Sequence, residues 1–387
     1  MTDPVGARVL DALTSLKLTI VCLALLMVLV VACTLAQVSL GTLGAVNLYM
    51  RSFLVWARLP GTGWSVAVFP GGGLVGLVLM VNLVAAQLRR LELSWRKLGI
   101  WIVHAGLILL FAGEFVTAMF QDETQLAIEQ GQTVDFVESP RDQELAVVEA
   151  GAGATEDVYG VPTSLLARGG VVPIPGTPVA LRVRRFWPSA ALAMAGPSDL
   201  PSGASMGAGT AIAVRPVAAA TSDEQVDQPA ALVEPIAGGQ SYGTWLVSAQ
   251  LSAPQSFRFG GRSYELAMRP RREYLPYRVT LRKFSHDVYP GTDIPKNFSS
   301  LVHLSNPARG EERDVLIYMN QPLRYEGRAF YQASFGKNDT LSVLQVVKNP
   351  GWLIPYVSCV LVGVGLMIHF GMALRRSMRR RAAAGEV

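Results

Sequence analysis

The sequence predicts a membrane protein that combines four transmembrane α-helices with one large extracytoplasmic, mostly-β domain of the sandwich or open barrel-like type. Half of the 387 residues are apolar and only 16% are charged, well below the share of about a quarter in soluble proteins. Four apolar runs reach the roughly 20 residues that a spanning helix needs. A long segment of short β-branched stretches, separated by turn residues, lies between the third and fourth run, and this pattern is typical of a β domain.

The first predicted span covers about residues 18–36 and carries no charge. It is too long for the apolar region of a signal peptide and lacks a clear small-x-small cleavage site, so we interpret it as an uncleaved span. The loop that follows contains Tyr49 and Trp56. It is expected to form an interfacial segment such as a short amphipathic helix.

The second predicted span covers about residues 66–87 and contains two features that indicate helix packing. Gly72 and Gly76 form a GxxxG pattern, which predicts either close approach of another helix or simply reflects how common glycine is in spans. Asn82 lies deep in the same run. Its amide is expected to hydrogen-bond to a neighbouring span.

The third predicted span, about residues 98–120, carries His104 and Glu114, and the fourth, about 352–374, carries His369 near its end. An ionisable side chain inside a span is costly, so each is a functional-site hypothesis by default. These spans complete an N-terminal membrane part at 1–120 and begin a C-terminal part at 351–387.

Basic residues at the span ends predict the topology. The loop 89–97 holds four basic residues and one acid, and five arginines follow the last span at positions 375, 376, 379, 380 and 381. The positive-inside rule then places both termini in the cytoplasm and the segment 121–350 outside. Much of the basic excess behind the net charge of +5 lies at these span ends. The expected partner of the basic residues is therefore the lipid bilayer and not a nucleic acid.

The segment 121–350 is predicted to be mostly β. Its clearest strand-like stretches are 145–148, 179–184, 244–251, 277–284, 300–304, 315–319, 329–333 and 341–347. They are separated by turn residues rather than by helical patterns, so a sandwich or open barrel is favoured over βαβ units. Residues 196–220 are rich in Gly, Ala, Ser and Pro and are expected to form a flexible insertion.

Two motifs of the β segment point to catalysis only weakly. Ser205 stands at the centre of a G-x-S-x-G pattern, but the strand and helix that a nucleophile elbow requires are not predicted around it. His286 and Asp287 are neighbours in the chain, and neighbouring side chains diverge in extended backbone. The cysteines at 22, 33 and 359 all lie inside predicted spans, which argues against a structural zinc site or a thiol-redox activity.

His104 and His369 form a possible haem-ligand pair. His104 lies seven residues beyond Lys97, and His369 lies six residues before Arg375. At about 1.5 Å per residue, both imidazoles would lie roughly 10 Å from the cytoplasmic interface. Two histidines at one depth on different helices predict bis-histidine haem ligation, and the alternative is that each one hydrogen-bonds to a helix neighbour.

Several stretches of the chain resemble the ResB-like family of cytochrome c biogenesis, which belongs to the system II or Ccs pathway. The resemblance begins with Leu13-Thr14-Ser15-Leu16-Lys17-Leu18-Thr19-Ile20 and with Asn82 followed by Arg89-Arg90. Its most specific parts are residues 289–290, 295–300, 319–327, 330–336 and 349–351. The segment 150–250 matches little of the family pattern.

This resemblance implies a role in haem delivery at the bacterial inner (cytoplasmic) membrane. A ResB-like protein pairs with a ResC/CcsA-like membrane protein, and together they carry haem across and present it, reduced, to apocytochrome c. His104 is the sole histidine of the first three spans, so it would ligate the iron of transiently bound haem b, with the second ligand on the partner. His369 is then the weaker candidate, and the chain is an accessory subunit of the complex rather than an enzyme by itself.

The basic residues beside the third span would serve the haem propionates. Porphyrin packs on apolar side chains while its propionates need cations at an interface, and Arg89, Arg90, Arg96 and Lys97 lie at that interface. Their role in topology needs no haem. A different class of function is a membrane-anchored extracytoplasmic sensor or binding module whose spans are only anchors.

Overall fold

A computed structural model of the chain describes residues 10–59, 64–89, 94–150, 156–196, 200–220, 225–291 and 295–383. It divides into two compact units. One is helical, comprising Met1–Gln121 and Asn349–Val387, and the other is a β unit comprising Asp122–Ala220 and Glu224–Lys348. Four helices of the helical unit are long and apolar enough to cross a membrane. The predicted fold class, four membrane helices with a large mostly-β part, is confirmed.

The helices begin and end as follows. They are α1 (Leu16–Ala45), α2 (Gly72–Arg89), α3 (Leu98–Phe120), the short α4 (Thr163–Arg168) of the β unit, and α5 (Ile354–Ala383), with a π-helical turn at Val46–Arg51 and 3-10 turns at Trp95–Lys97 and Ala208–Ala211.

The connection between the first two spans differs from the expected amphipathic helix. Helix α1 runs on to Ala45 with a kink at Gly41, where φ is 70°. Two antiparallel strands, β1 (Leu54–Arg58) and β2 (Ser65–Pro70), then form a hairpin. Alternating valines at 66 and 68 favour a strand, and proline ends it, so α2 begins at Gly72 and not at residue 66.

Helix α5 also extends beyond its predicted end. It continues from the apolar run through the arginines to Ala383. Arginine is a strong helix former and the run contains neither Gly nor Pro after Gly371, so nothing in the local sequence stops the helix at residue 374.

Three glycines of α3 bring α5 close along one face. A Cβ placed on Gly99 would lie 2.6 Å from the backbone nitrogen of His369, and one on Gly106 would lie 3.0 Å from the carbonyl oxygen of Ser358. On Gly113 it would lie 2.5 Å from Cγ2 of Ile354. A spacing of seven residues keeps all three on one helix face, and the two helices run antiparallel.

The predicted GxxxG pattern of α2 does not act as a helix-packing face in this chain. A Cβ on Gly76 would meet nothing within 4 Å. A Cβ on Gly72 would lie 2.6 Å from the carbonyl oxygen of Met50, which belongs to the π-helical turn and not to another span. The glycine contacts between spans lie on α3 instead.

The β unit consists of short and long antiparallel strands. They are β3 (Asp122–Glu129), β4 (Thr133–Ala150), β5 (Asp157–Pro162), β6 (Gly170–Pro173), β7 (Val179–Trp187), β8 (Ala190–Met194), β9 (Ile212–Pro216), β10 (Ala230–Ala237), β11 (Gln240–Ser241), β12 (Trp245–Ser248), β13 (Gln255–Phe259), β14 (Arg262–Val288), β15 (Pro295–Asn306), β16 (Glu311–Tyr318), β17 (Leu323–Tyr325), β18 (Arg328–Gly336) and β19 (Leu341–Lys348). Each strand-like stretch predicted from the sequence overlaps one of them.

A ten-stranded sheet forms a nearly closed barrel, with strand order β16-β15-β14-β4-β3-β19-β18-β17 and with β13 paired to β14 and β5 paired to β4. Its interior is filled by fully buried side chains, including Val137, Val279, Leu281, Val302 and Phe330. A second sheet, with the order β11-β10-β7-β6 and with β12 paired to β10, covers a separate core. The long strand β14 contributes residues to both cores.

The segment 196–220 was expected to be a flexible insertion, but its described part is folded. Strand β9 pairs with β8 in antiparallel register. Ala204, Ile212 and Val214 pack on a small core that includes Trp187 and Leu246. Small residues suit this layer because a Cβ on Gly209 would lie 2.4 Å from the Cβ of Leu246.

Candidate functional site

His104 lines an apolar cavity between the first three spans. The cavity has a volume of about 540 Å³, within the range of about 300–1,000 Å³ usual for small-molecule sites. Helices α1, α2 and α3 all contribute to its lining. The lining residues are Thr14, Leu16, Thr19, Leu23, Leu79, Asn82, Leu83, Ala86, Gln87, Lys97, Ile100, Trp101, His104, Leu107 and Phe111.

The backbone of α3 fixes the tautomer of His104. Its Nδ1 lies 2.8 Å from the carbonyl oxygen of Ile100, one turn earlier. A carbonyl oxygen only accepts, so Nδ1 must carry the proton and donate it. Neutral imidazole then has its lone pair on Nε2, which is the form that binds a metal ion such as haem iron.

Asn82 lines this cavity on the side of α1 and α2, and both polar atoms of its side chain are hydrogen-bonded within the protein. Its Oδ1 accepts from the hydroxyl of Thr19 at 2.6 Å. Its Nδ2 donates to the carbonyl oxygens of Leu13 at 2.6 Å and Ser15 at 3.2 Å. The expected hydrogen bond from Asn82 to a neighbouring span is confirmed. The Nδ2 group of Asn82 also provides a donor for backbone carbonyl groups just before the start of α1.

Among the described residues, one of the cations predicted to contact propionates lines the His104 cavity. Lys97 does so and also borders a second groove, which Arg96 lines. Arg89 forms an ion pair with Asp11 and donates to the hydroxyl of Thr14 at 2.9 Å, so it is engaged in holding the start of α1. Arg90 lies outside the described residues.

His369 does not share the cavity of His104. It lines a groove of about 950 Å³ on another side of α3, and its backbone nitrogen packs against Gly99. Because Gly99 precedes His104 by five residues, the two histidines differ in depth by about 7 Å. The structure does not bring the pair together, because the register of α3 against α5 sets Gly99, and not His104, beside His369.

The aromatic walls of the cavity were missed in the sequence. Trp101 and Phe111 line it beside His104. With Lys97, Ile100 and Leu107, they follow a spacing of three and four residues along α3, which is the period of one helix face. Extending the helical period outward from His104 is the signal that identifies them.

The weak catalytic motifs of the β unit have structural roles. The hydroxyl of Ser205 accepts a hydrogen bond from the backbone N–H of Thr244 at 2.8 Å. His286 faces Asp339 at 3.3 Å and not its chain neighbour Asp287. In the described part of the chain, no group of three or more His, Cys, Asp or Glu residues is placed to hold a metal ion.

Two of the stretches that resemble the family most closely meet inside the barrel. Ser300 Oγ donates to Oε1 of Gln332 at 2.6 Å and contacts Oγ of Ser342 at 2.7 Å, so residues 295–300 and 330–336 meet in one buried network. Nearby, burial raises the pKa of Tyr277 to about 12, which keeps that phenol neutral at physiological pH.

Comparison with known proteins agrees with the resemblance. Residues 236–343 match the model of the ResB-like family. A stretch of 103 residues is 30% identical to Protein NrfI of Wolinella succinogenes, covering 27% of this chain and 11% of that protein. The chain therefore carries a ResB-like segment, and the resemblance drawn from the sequence is confirmed. The matched residues lie in the β unit, whereas His104 lies in the helical unit.

Proposed function

We propose that this chain acts in cytochrome c biogenesis as a ResB-like subunit that holds haem at His104 during its passage across the membrane. A ResC/CcsA-like membrane protein would supply the second axial ligand, and the haem would then be presented to apocytochrome c outside. Haem is the cargo in this proposal, and the chain serves as a carrier rather than as an enzyme.

The observation that carries the proposal is the state of His104 inside its cavity. With Nδ1 hydrogen-bonded to the carbonyl oxygen of Ile100, Nε2 is the ring atom left to bind iron, and the ring borders a space lined mainly by Leu, Ile, Trp and Phe. Apolar walls suit the porphyrin face, and a single histidine ligand binds less firmly than two, which suits release to a partner. Lys97 provides a cation for one propionate at the end of the cavity nearest the α2–α3 loop.

The test is the haem content of the full chain purified from membranes. His104→Ala should lower the Soret absorbance per protein by about tenfold or more, corresponding to at least 1.4 kcal/mol of lost binding free energy. Added imidazole should restore part of the signal, because it can enter the space left by the side chain. His369→Ala is the matched control and should retain its haem, because it lines a different groove.

The alternative function is a membrane-anchored extracytoplasmic sensor or binding module. In that case the spans are only anchors, and His104→Ala would leave both haem content and cytochrome c maturation unchanged. That result would reject the carrier role while leaving the ResB-like assignment of residues 236–343 intact.

A further inference from the structure

The cationic groove on the other side of α3 shares Lys97 and Ile100 with the His104 cavity, but its arginines have no role in the proposed haem site. Four arginines of α5 line one side of it, at positions 375, 376, 379 and 380. They recur at intervals of one and four residues and so share one face of a continuous helix. Because α5 stays helical to Ala383, this face is a fixed surface and not a loose tail.

The other side of the groove is the beginning of α3. Arg96 and Lys97 stand there, in and beside the 3-10 turn that precedes the helix. The close contact between Gly99 and Gly365 holds the two helices together just below. Six cationic side chains therefore converge on one groove, and within the part of the chain that the structure describes none of the lining residues is acidic.

The floor of the groove is apolar. Ile100, Met372 and Ala373 lie there, on the side of the groove that continues into the membrane-spanning parts of α3 and α5. A ligand that fits this arrangement is amphipathic, with its negative charge among the arginines and its apolar part along the spans. Basic pockets between spans on the cytoplasmic side are suited to anionic lipid head groups.

We propose that this groove, formed by Arg96, Lys97 and the four arginines of α5, binds the phosphate of an anionic phospholipid. Arginine presents several donors in a planar fork that matches phosphate oxygens. Bound phosphate also offsets the repulsion among six like charges, and its acyl chains extend over Ile100 and Met372. The site therefore ties the end of α5 to the start of α3 through a lipid.

The experiment compares two neighbouring arginines in the full chain reconstituted in nanodiscs. Arg380 lines the groove, whereas Arg381 is exposed and is not among its lining residues. Arg380→Gln and Arg381→Gln remove the same charge one residue apart. Native mass spectrometry would count retained phosphatidylglycerol or cardiolipin, and thermal unfolding would report the stabilisation that these lipids give over phosphatidylcholine alone.

The expected result is a difference between the variants. Arg380→Gln should retain anionic lipid with about fivefold lower affinity, the effect of one basic residue at a membrane surface, while Arg381→Gln behaves like the unaltered chain. Equal losses in both variants would mean general attraction to an anionic surface and would overturn the site. If inorganic phosphate gave the full stabilisation in phosphatidylcholine nanodiscs, the ligand of the groove would be a free anion, and the proposal of a bound lipid would be wrong.

Discussion

At the scale of single residues, the backbone of α3 determines which ring nitrogen of His104 is available to bind a metal ion. The proton on Nδ1 is held by the carbonyl oxygen of Ile100, so the metal-binding tautomer depends only on an intact turn of α3. His286, near the end of strand β14, instead has its Nδ1 facing a carboxylate of Asp339 in the turn between β18 and β19.

Glu234 is the residue whose titration should affect the stability of the β unit. It is buried in the second sheet, and its Oε2 accepts from Nε of Arg184 at 2.6 Å and from Nη1 of Arg182 at 3.4 Å. A hydrogen bond from Ser241, together with both arginines, lowers the pKa of Glu234 against the opposing effect of burial. The ionised form is therefore favoured in the folded state.

We expect Glu234→Gln to destabilise the β unit by about 1–3 kcal/mol at pH 7, because two arginines lose a charged acceptor. With a lowered folded pKa, the contribution of Glu234 is present above its ordinary pKa and is lost as pH falls through the folded value. The difference between variant and parent should therefore shrink on acidification. Urea unfolding followed by circular dichroism at pH 7 and at acid pH measures this.

The exposed Glu156 supplies a control for that change. Glu156→Gln should leave the unfolding midpoint within about 0.5 kcal/mol of the parent at either pH. A Glu234→Gln effect that grew on acidification would contradict the assigned direction of the pKa shift.

At the scale of elements, the contact between α3 and α5 determines which grooves exist. Gly99 and Gly106 allow the helix backbones to approach, and their register against α5 puts His369 beside Gly99. That register separates the two histidines and also gathers Arg96 and Lys97 beside the α5 arginines. The register of this one helix contact therefore keeps His369 away from the proposed haem site and forms the groove proposed for the lipid.

Gly99→Ala should weaken this contact. Its Cβ would lie 2.6 Å from the backbone nitrogen of His369 and 2.7 Å from the carbonyl oxygen of Gly365, and backbone atoms cannot move aside without separating the helices. We expect a loss of about 1–3 kcal/mol, seen as a lower thermal unfolding midpoint in detergent. Gly76→Ala is the control, since open space surrounds that position and alanine favours a helix by about 0.5–1 kcal/mol. Equal stabilisation by both would show that helix propensity, not packing, decides.

The sequence predicted those features that depend on composition within one element. Hydropathy located the four spans, and strand-like stretches such as 179–184 and 341–347 fell on β7 and β19. The hairpin before α2 was missed because its apolar valines are equally compatible with a span. Register between elements has no local signal, so the glycine contacts of α3 and the separation of His104 from His369 were not predictable.

At the scale of the whole molecule, the proposed carrier role requires that the α2–α3 connection and the β unit lie on opposite sides of the membrane. Arg96 and Lys97 of the α2–α3 connection line the same groove as the α5 arginines, so we expect these two segments on one side of the membrane. Helix α3 leads away from that side into β3, and β19 leads back to α5. The β unit is thus expected on the opposite side, which the positive-inside rule makes extracytoplasmic.

Cysteine labelling in intact cells tests this topology. With Cys22, Cys33 and Cys359 replaced by alanine, Met319→Cys places a thiol on the β unit and Met378→Cys places one on the end of α5; both positions are exposed, at 44% and 61%. A membrane-impermeant maleimide should label Met319→Cys directly and Met378→Cys only after permeabilisation. The reverse pattern would put the arginines outside and remove the reason for a lipid groove on the cytoplasmic face. Labelling of both in intact cells would place both positions outside and so mean an even number of crossings between them, which contradicts a single crossing by α5. The passage from Lys97 past His104 toward the β unit would then lose its support as a route across the membrane.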